Sequence, residues 1–170
     1  MKNDIKYKDR QYTNIVGDIL SNDDFNKLEE IVHHGLNRKD HSIRVSYYSY
    51  KVSKLLKLDY KACARAGLLH DFFFEENKKS NLKTRIKTLV NHPKYALDNA
   101  SNLFELNDKE KDIIVSHMFP ITINPPKYVE GWIVNCVDDC VALAEVMYSA
   151  RTKLSYVANF MIILMFTYLK

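Results

Sequence analysis

The feature that most constrains this chain is a set of four histidines and two aspartates spread over about a hundred residues. In chain order they are His41, the adjacent pair His70 and Asp71, His92, His117 and Asp138. The His70–Asp71 pair follows the largely apolar run 64–69, and Asp138 lies within the largely apolar segment 133–143. Burying a carboxylate there is costly unless a partner neutralises it, and a metal ion would do so. Since imidazole and carboxylate together suit divalent transition metals, the fold is expected to gather all six in one cleft.

The fold class follows from the scarcity of helix breakers. Among 170 residues there are four Gly and four Pro, and apolar residues recur at helical spacing. No Gly-, Pro- or Ser-rich stretch divides the chain, which has the length of one domain with a real core. The sequence therefore predicts an all-α protein, a single compact helical bundle over residues 1–170.

The second and third predicted helices form a hairpin that carries His41 and the His70–Asp71 pair. One helix is expected over about 23–34 and stops at Gly35, and a second begins near Asp40. Asp59 caps a third, which ends around His70. At 1.5 Å per residue, the second helix extends about 25 Å from His41, and the third helix runs back about 17 Å to His70. The hairpin should therefore bring His70 back towards His41.

The remaining helices are predicted from their caps. Because Pro93 suits the first position of a helix, His92 is expected to cap that helix, where the positive end of the dipole keeps an imidazole neutral. Asn107 is expected to cap a helix that ends at His117. A proline-bounded loop over 120–126 leads to a long helix over 128–150 with Asp138 in its middle. Two of the six residues thus fall near helix starts, three near helix ends and one mid-helix.

Composition limits the partners and the compartment. The net charge of +4 is mild and the lysines are dispersed, which favours a solvated surface over binding of a nucleic-acid polymer. Three cysteines and a charged N-terminus argue for a reducing cytoplasm. Cys136 and Cys140, opposite Asp138 on their helix, are interpreted as buried apolar residues, and His33 and His34 as surface residues. The uncharged segment 154–169 is too short to span a membrane, and the C-terminal helix predicted over 151–170 is expected to pack on the core or on a homodimer partner.

The order of the six residues, with an apolar run before the His70–Asp71 pair, resembles the HD-domain superfamily of metal-dependent phosphohydrolases, over about residues 38–145. The resemblance implies an HD-type helical bundle with two metal ions bridged by Asp71. His41, His70 and Asp138 would complete one ion, His92 and His117 the other, with Asp71 and His70 as the catalytic residues. The mixed ligands favour Mn, Fe, Co or Ni over Mg or Ca.

The expected activity is hydrolysis of a small phosphate ester or anhydride, nucleotide or dinucleotide-like, by a metal-activated water. Arg38 and Arg44 flank His41 and are candidate phosphate ligands, with Lys94 a weaker one. The aromatic residues 72–74 replace the Gly and Lys of the cyclic-dinucleotide phosphodiesterase branch; they either pack in the core or wall a pocket. Two alternatives stay open: a diiron oxygenase of the same superfamily, which uses the same ligands, and a non-catalytic HD binding module.

Overall fold

Helices dominate the described part of the chain, which contains one small pair of strands. The computed structural model describes residues 9–33, 36–74 and 81–168, without side chains at 32, 33, 36, 82, 85 and 157–168. The helices are α1 (Arg10–Leu20), α2 (Asp23–Asn26), α3 (Arg38–Leu55), α4 (Tyr60–Leu69), α5 (Leu82–Leu103), α6 (Asp108–Ser116) and α7 (Val129–Tyr168). A 3-10 turn (Lys27–Glu30) follows α2, and β1 (Val32–His33) pairs antiparallel with β2 (Leu36–Asn37). The predicted all-α class is confirmed.

The N-terminal region differs most from the prediction. α1 was not predicted, although Tyr12, Val16 and Ile19 have helical spacing and are fully buried. The helix expected over 23–34 is wrong beyond its first turns, because the chain leaves the 3-10 turn at Ile31 in an extended conformation. There the Ile31 carbonyl accepts a hydrogen bond from the backbone of Arg38, which closes the β1–β2 pair. Gly35, the expected stop, lies outside the described residues.

The predicted hairpin of α3 and α4 is confirmed. α3 begins two residues before Asp40 and is capped by the Asn37 side chain, and Asp59 caps α4 as expected. The two helices approach closely at Gly67, where an added Cβ would lie 3.0 Å from the Cα of Ser46. This glycine lets α4 lie directly against α3, which brings the end of α4 beside the first turn of α3.

The structure corrects the start of α5. The helix begins after Asn81, eleven residues before His92, and continues through Pro93. Pro93 has no N–H to give to the carbonyl of Leu89 four residues earlier. The Nδ1 of His92 bonds that carbonyl instead at 2.8 Å, so the carbonyl is not left unpaired. His92 is therefore mid-helix, and the argument that a helix start keeps it neutral is wrong.

The last two helices and the loop between them carry His117 and Asp138. α6 starts with a reciprocal capping box between Asn107 and Glu110 and ends before His117, as predicted. The segment 117–128 is non-helical, which confirms the loop. α7 then runs for 40 residues to Tyr168, so the helices expected over 128–150 and 151–170 form one continuous element as far as the structure describes them. Its sequence has no Gly or Pro after Gly131 that would interrupt it.

One buried cluster of apolar side chains joins α1, α3, α4, α5, α6 and α7. α4 lies at its centre and is packed between α1, α3, α6 and α7. Cys63 belongs to this core, but Cys136 and Cys140 are exposed on α7, so the prediction that they are buried is wrong. Their face of α7 points away from the core, whereas Val134 and Val141 point into it. Within the residues described, no helix combines the length and apolar character needed to cross a membrane.

Candidate metal centre

The six residues of the sequence pattern converge at one point of the bundle. His41 lies in the first turns of α3, His70 and Asp71 end α4, and His92 projects from the middle of α5. His117 follows α6, and Asp138 projects from α7. The ligand atoms of three overlapping subsets lie within 4.8 Å of one another: His41 with His70 and Asp71, His70 with His117 and Asp138, and Asp71 with His92 and His117. Five helices therefore contribute to a single cluster.

Three of the imidazoles are anchored in the same way, through Nδ1 to a main-chain carbonyl three residues earlier. His70 bonds Gly67, His92 bonds Leu89 and His117 bonds Ile114, each at 2.8 Å. Two of these carbonyls are left free by the ends of α4 and α6, and the third is freed by Pro93. A carbonyl can only accept, so each Nδ1 carries the proton. Each Nε2 is thereby turned into the cluster.

Among the protein atoms described, the Nε2 atoms of His70 and His117 have no carboxylate oxygen within hydrogen-bond distance. The Nε2 atoms of His92 and His117 face each other at 3.0 Å. In neutral rings whose Nδ1 atoms are protonated, both are acceptors and repel each other. The Nε2 of His70 is fully buried and has no hydrogen-bond partner within the described chain. Its nearest carboxylate oxygen, on Asp138, is 3.6 Å away and too far for a hydrogen bond. A cation between these atoms would satisfy all of them.

Asp71 lies between the imidazoles. Its Oδ1 is 3.2 Å from the Nε2 of His92 and 3.8 Å from that of His117, and its Oδ2 is 3.9 Å from that of His70. Burial alone would raise the pKa of this carboxyl, but His70, followed by His92 and His117, outweighs burial and holds the pKa well below the usual range. The carboxylate is thus ionised and reaches both sides of the cluster with different oxygens.

A second type of anchor holds His41. Its Nε2 bonds Asp138 at 2.9 Å, and its Nδ1 bonds the buried Glu145 at 3.0 Å. The other oxygen of Glu145 accepts a hydrogen bond from the Arg44 guanidinium at 3.0 Å. Sequence reasoning missed Glu145 as a site residue. It lies seven residues after Asp138 on α7, two helical turns along the same face, and that spacing was the available signal.

Two imidazoles of the cluster differ in their affinity for a proton. Burial lowers the pKa of His41, but the hydrogen bonds to Asp138 and Glu145 outweigh it and raise the pKa to about 10. For His117, burial and the charge of His70 lower the pKa to about 4. The cluster therefore combines a ring that carboxylates keep charged with a neutral ring that offers a free lone pair.

The three candidate substrate contacts, Arg38, Arg44 and Lys94, lie in different environments. Arg38 is 2% exposed; it bonds the carbonyl of Phe73 at 2.7 Å and lies 3.9 Å over that ring. Phe73 in turn stacks on His92, with ring centroids 4.9 Å apart. Arg44 is bonded to Glu145, and Lys94 is exposed on α5. Arg38 and Arg44 thus support site residues in this arrangement, and contact with a substrate stays a prediction for all three.

The aromatic residues after Asp71 mostly pack inwards. Phe72 is fully buried and Phe73 is 5% exposed, whereas Phe74 is 42% exposed. Phe72 contacts the rings of Phe25 and Phe104, and Phe73 covers His92. The core interpretation therefore holds for Phe72, and Phe73 forms a wall of the cluster. Asn135 of α7 bonds the carbonyls of His117 and Phe119 and fixes the loop on the other side.

Comparisons with protein families, with curated proteins and with solved structures find no match for this chain. The function proposed below therefore depends on the geometry and chemistry of the cluster.

Proposed function

We propose that the six-residue cluster holds two divalent transition-metal ions and that the protein is a metal-dependent phosphohydrolase with an HD-type site. The observation that carries the proposal is the set of three buried imidazoles whose Nε2 atoms all point at Asp71. His92 and His117 oppose their lone pairs at 3.0 Å, and His70 has no hydrogen-bond partner in the described chain. Such an arrangement is costly for protein atoms alone and favourable around cations.

The donor set fits the proposed ions. Four imidazole nitrogens and two carboxylates are a mixed set, which suits Mn, Fe, Co or Ni better than Mg or Ca. His41, His70 and Asp138 would hold one ion and His92 and His117 the other, with Asp71 shared through its two oxygens. The hydrogen bonds to Nδ1 supply the outer contacts that orient metal-binding histidines in proteins.

The charge of the cluster favours an anionic substrate. Two divalent ions exceed the charge of the two carboxylates that face them, and the third carboxylate, Glu145, is offset by Arg44. Such ions lower the pKa of a bound water and stabilise the charge that develops on phosphoryl oxygens. The surrounding protein holds the ligands and excludes bulk water, since His70, His92 and His117 are each at most 5% exposed. The proposed substrate is a small phosphate ester or anhydride, such as a nucleotide or dinucleotide.

Metal analysis together with a substrate panel tests the proposal. Purified protein reconstituted with Mn or Fe should contain about two transition ions per chain. With Mn it should hydrolyse at least one of bis-p-nitrophenyl phosphate, nucleoside monophosphates and dinucleoside polyphosphates. Asp71→Asn, which preserves shape, should abolish turnover. Asp139→Asn is the matched control, because Asp139 is an exposed aspartate on α7 outside the cluster.

Three outcomes would count against the proposal. Less than half an ion per chain after reconstitution would contradict the metal centre itself. Two bound ions with oxygen uptake by the reduced iron form, and no turnover on the panel, would indicate an oxygenase that shares the ligand set. Turnover that survives in Asp71→Asn with unchanged circular dichroism would place the chemistry elsewhere in the molecule.

A further inference from the structure

α7 presents an apolar stripe, on the side opposite Asp138, that the described part of the chain leaves exposed. Exposed residues recur along it at alternating steps of four and three: Cys136, Cys140, Leu143, Met147, Ala150 and Leu154. Met147 is 64% exposed and Leu154 is 71% exposed. The same spacing continues in the sequence at Val157, Met161, Leu164 and Tyr168, and α7 stays helical over these positions. We call the six exposed residues from Cys136 to Leu154 the α7 seam.

The spacing of the seam is that of a coiled coil. Apolar residues at steps of three and four form the two core positions of a heptad, and a sustained heptad packs against another helix. α7 is 40 residues long, about 60 Å at 1.5 Å per residue, whereas its buried face contacts the core through Val134, Val141 and Glu145. Monomeric proteins rarely leave such a continuous apolar surface in water.

We infer that the α7 seam binds the same seam of a second copy of this chain, in antiparallel orientation. The charges beside the seam select that orientation. Asp139 and Lys153 both occupy the heptad position just before a core residue, and both are exposed. In an antiparallel pair these positions face each other across the interface, so Asp139 pairs with the partner's Lys153, twice by symmetry.

The same register pairs apolar residues along the whole overlap. With Asp139 opposite the partner's Lys153, Met147 packs beside the partner's Leu143, and Cys140 beside the partner's Ala150. A parallel pair would instead face Cys140 with its own copy and leave both Asp139 and Lys153 without opposite charges. The inference does not rest on the proposed function, because the seam and the metal cluster lie on opposite faces of α7.

Sedimentation velocity on the full chain tests the dimer. The wild type should be a dimer with a dissociation constant in the micromolar range or below. Met147→Glu should raise that constant at least tenfold. Tyr156→Glu is the matched control: Tyr156 is 73% exposed on the same helix but off the seam, and its constant should not change. A monomeric wild type, or equal effects of both substitutions, would overturn the inference.

Cross-linking tests the orientation. In a Cys136→Ser background, Ala150→Cys should give a covalent dimer with a short bis-maleimide, because the new thiol lies beside the partner's Cys140. The two Cys140 residues themselves are ten positions out of register, about 15 Å along the axis, and should not be linked. Cross-linking of Cys136→Ser alone would show a parallel pair and refute the antiparallel register.

A charge exchange gives an independent readout of the same register. Lys153→Glu should weaken the dimer by repulsion from Asp139, and the added change Asp139→Lys should restore it to within a factor of about three of the wild type. Failure of the double variant to recover would exclude this pairing, even if the chain is dimeric. Metal content should stay unchanged in every one of these variants, which separates the dimer from the proposed function.

Discussion

The two halves of the candidate metal centre are built by different means. In what we call the carbonyl half, His70, His92 and His117 are each held by a carbonyl three residues earlier. In the carboxylate half, His41 is held by Asp138 and Glu145, about a hundred residues away, and Arg44 completes the chain of contacts. The first half is fixed by local backbone geometry, and the second by packing of α3 on α7.

This difference determines how each half should respond to change. A carbonyl anchor is part of the backbone, so only changes to the backbone disturb it. A carboxylate anchor is a side chain, so a single substitution can remove it while the rest of the fold remains. Single substitutions therefore test whether the two kinds of anchor can be lost independently.

The largest effect is expected from loss of the Asp138 carboxylate. Asp138→Asn removes a charge that contacts both His41 and His70, at 2.9 and 3.6 Å. It should weaken binding of one ion by more than about 100-fold, beyond what loss of an outer contact costs. Competition with a chromophoric chelator measures this. Equal losses in Asp139→Asn would show that the ligand assignment on α7 is wrong.

The next largest effect should come from Glu145→Gln. The amide can still accept one hydrogen bond from His41, but the charge that supports the ring and pairs with Arg44 is lost. Affinity for one ion should fall about 10–100-fold, while the second ion is retained. Metal titration followed by mass spectrometry resolves the two stoichiometries, with the exposed Glu105→Gln as control. Simultaneous loss of both ions would mean that the Glu145 anchor supports both ion sites.

A backbone change should act on the carbonyl half through stability. Gly67→Ala places a Cβ 3.0 Å from the Cα of Ser46, in the helix contact that also positions the carbonyl bonded by His70. The free energy of unfolding should fall by about 1–3 kcal/mol in urea denaturation. Gly17→Ala is the matched control. Nothing lies within 4 Å of its added Cβ, and it should gain about 0.5–1 kcal/mol.

Pro93→Ala should produce the smallest and most specific effect. The new N–H can bond the carbonyl of Leu89 and compete with the Nδ1 of His92 for it. Thermal stability of the helix should rise because a regular hydrogen bond is restored. Affinity for one ion should fall about tenfold because the His92 ring is less well oriented. If the thermal stability and the affinity for the ion both rise or both fall, the carbonyl of Leu89 does not orient His92.

Local signals in the sequence predicted much of the carbonyl half. The caps Asp59 and Asn107 and the helix ends at His70 and His117 depend on residues within one turn, and the structure confirms them. His92 is the exception. A proline usually marks a helix start, but here the imidazole of His92 satisfies the carbonyl that Pro93 leaves free, and α5 continues. The helix-start prediction failed because the His92 side chain, and not a backbone N–H, donates the hydrogen bond to the carbonyl of Leu89.

The carboxylate half was less accessible to sequence reasoning. Arg44 was expected to meet a substrate phosphate, but in the structure it bonds Glu145, a contact that spans 101 residues. No local pattern specifies which arginine and glutamate will meet across a bundle. The exposure of Cys136 and Cys140 has the same origin, since an apolar helix face is assigned to the core or to the surface only by the packing of other elements.

The position of α7 in the chain also affects how the molecule is made. The contact between His41 and Glu145 joins residues 104 positions apart, and forming it closes a loop that contains most of the fold. Contacts of such long range form slowly compared with the α3–α4 hairpin. On the ribosome, the three carbonyl-anchored histidines are synthesised before residue 138 and leave the exit tunnel ahead of it. A nascent chain can therefore assemble one half of the cluster early, and docking of α7 is the step that makes the ligand set complete.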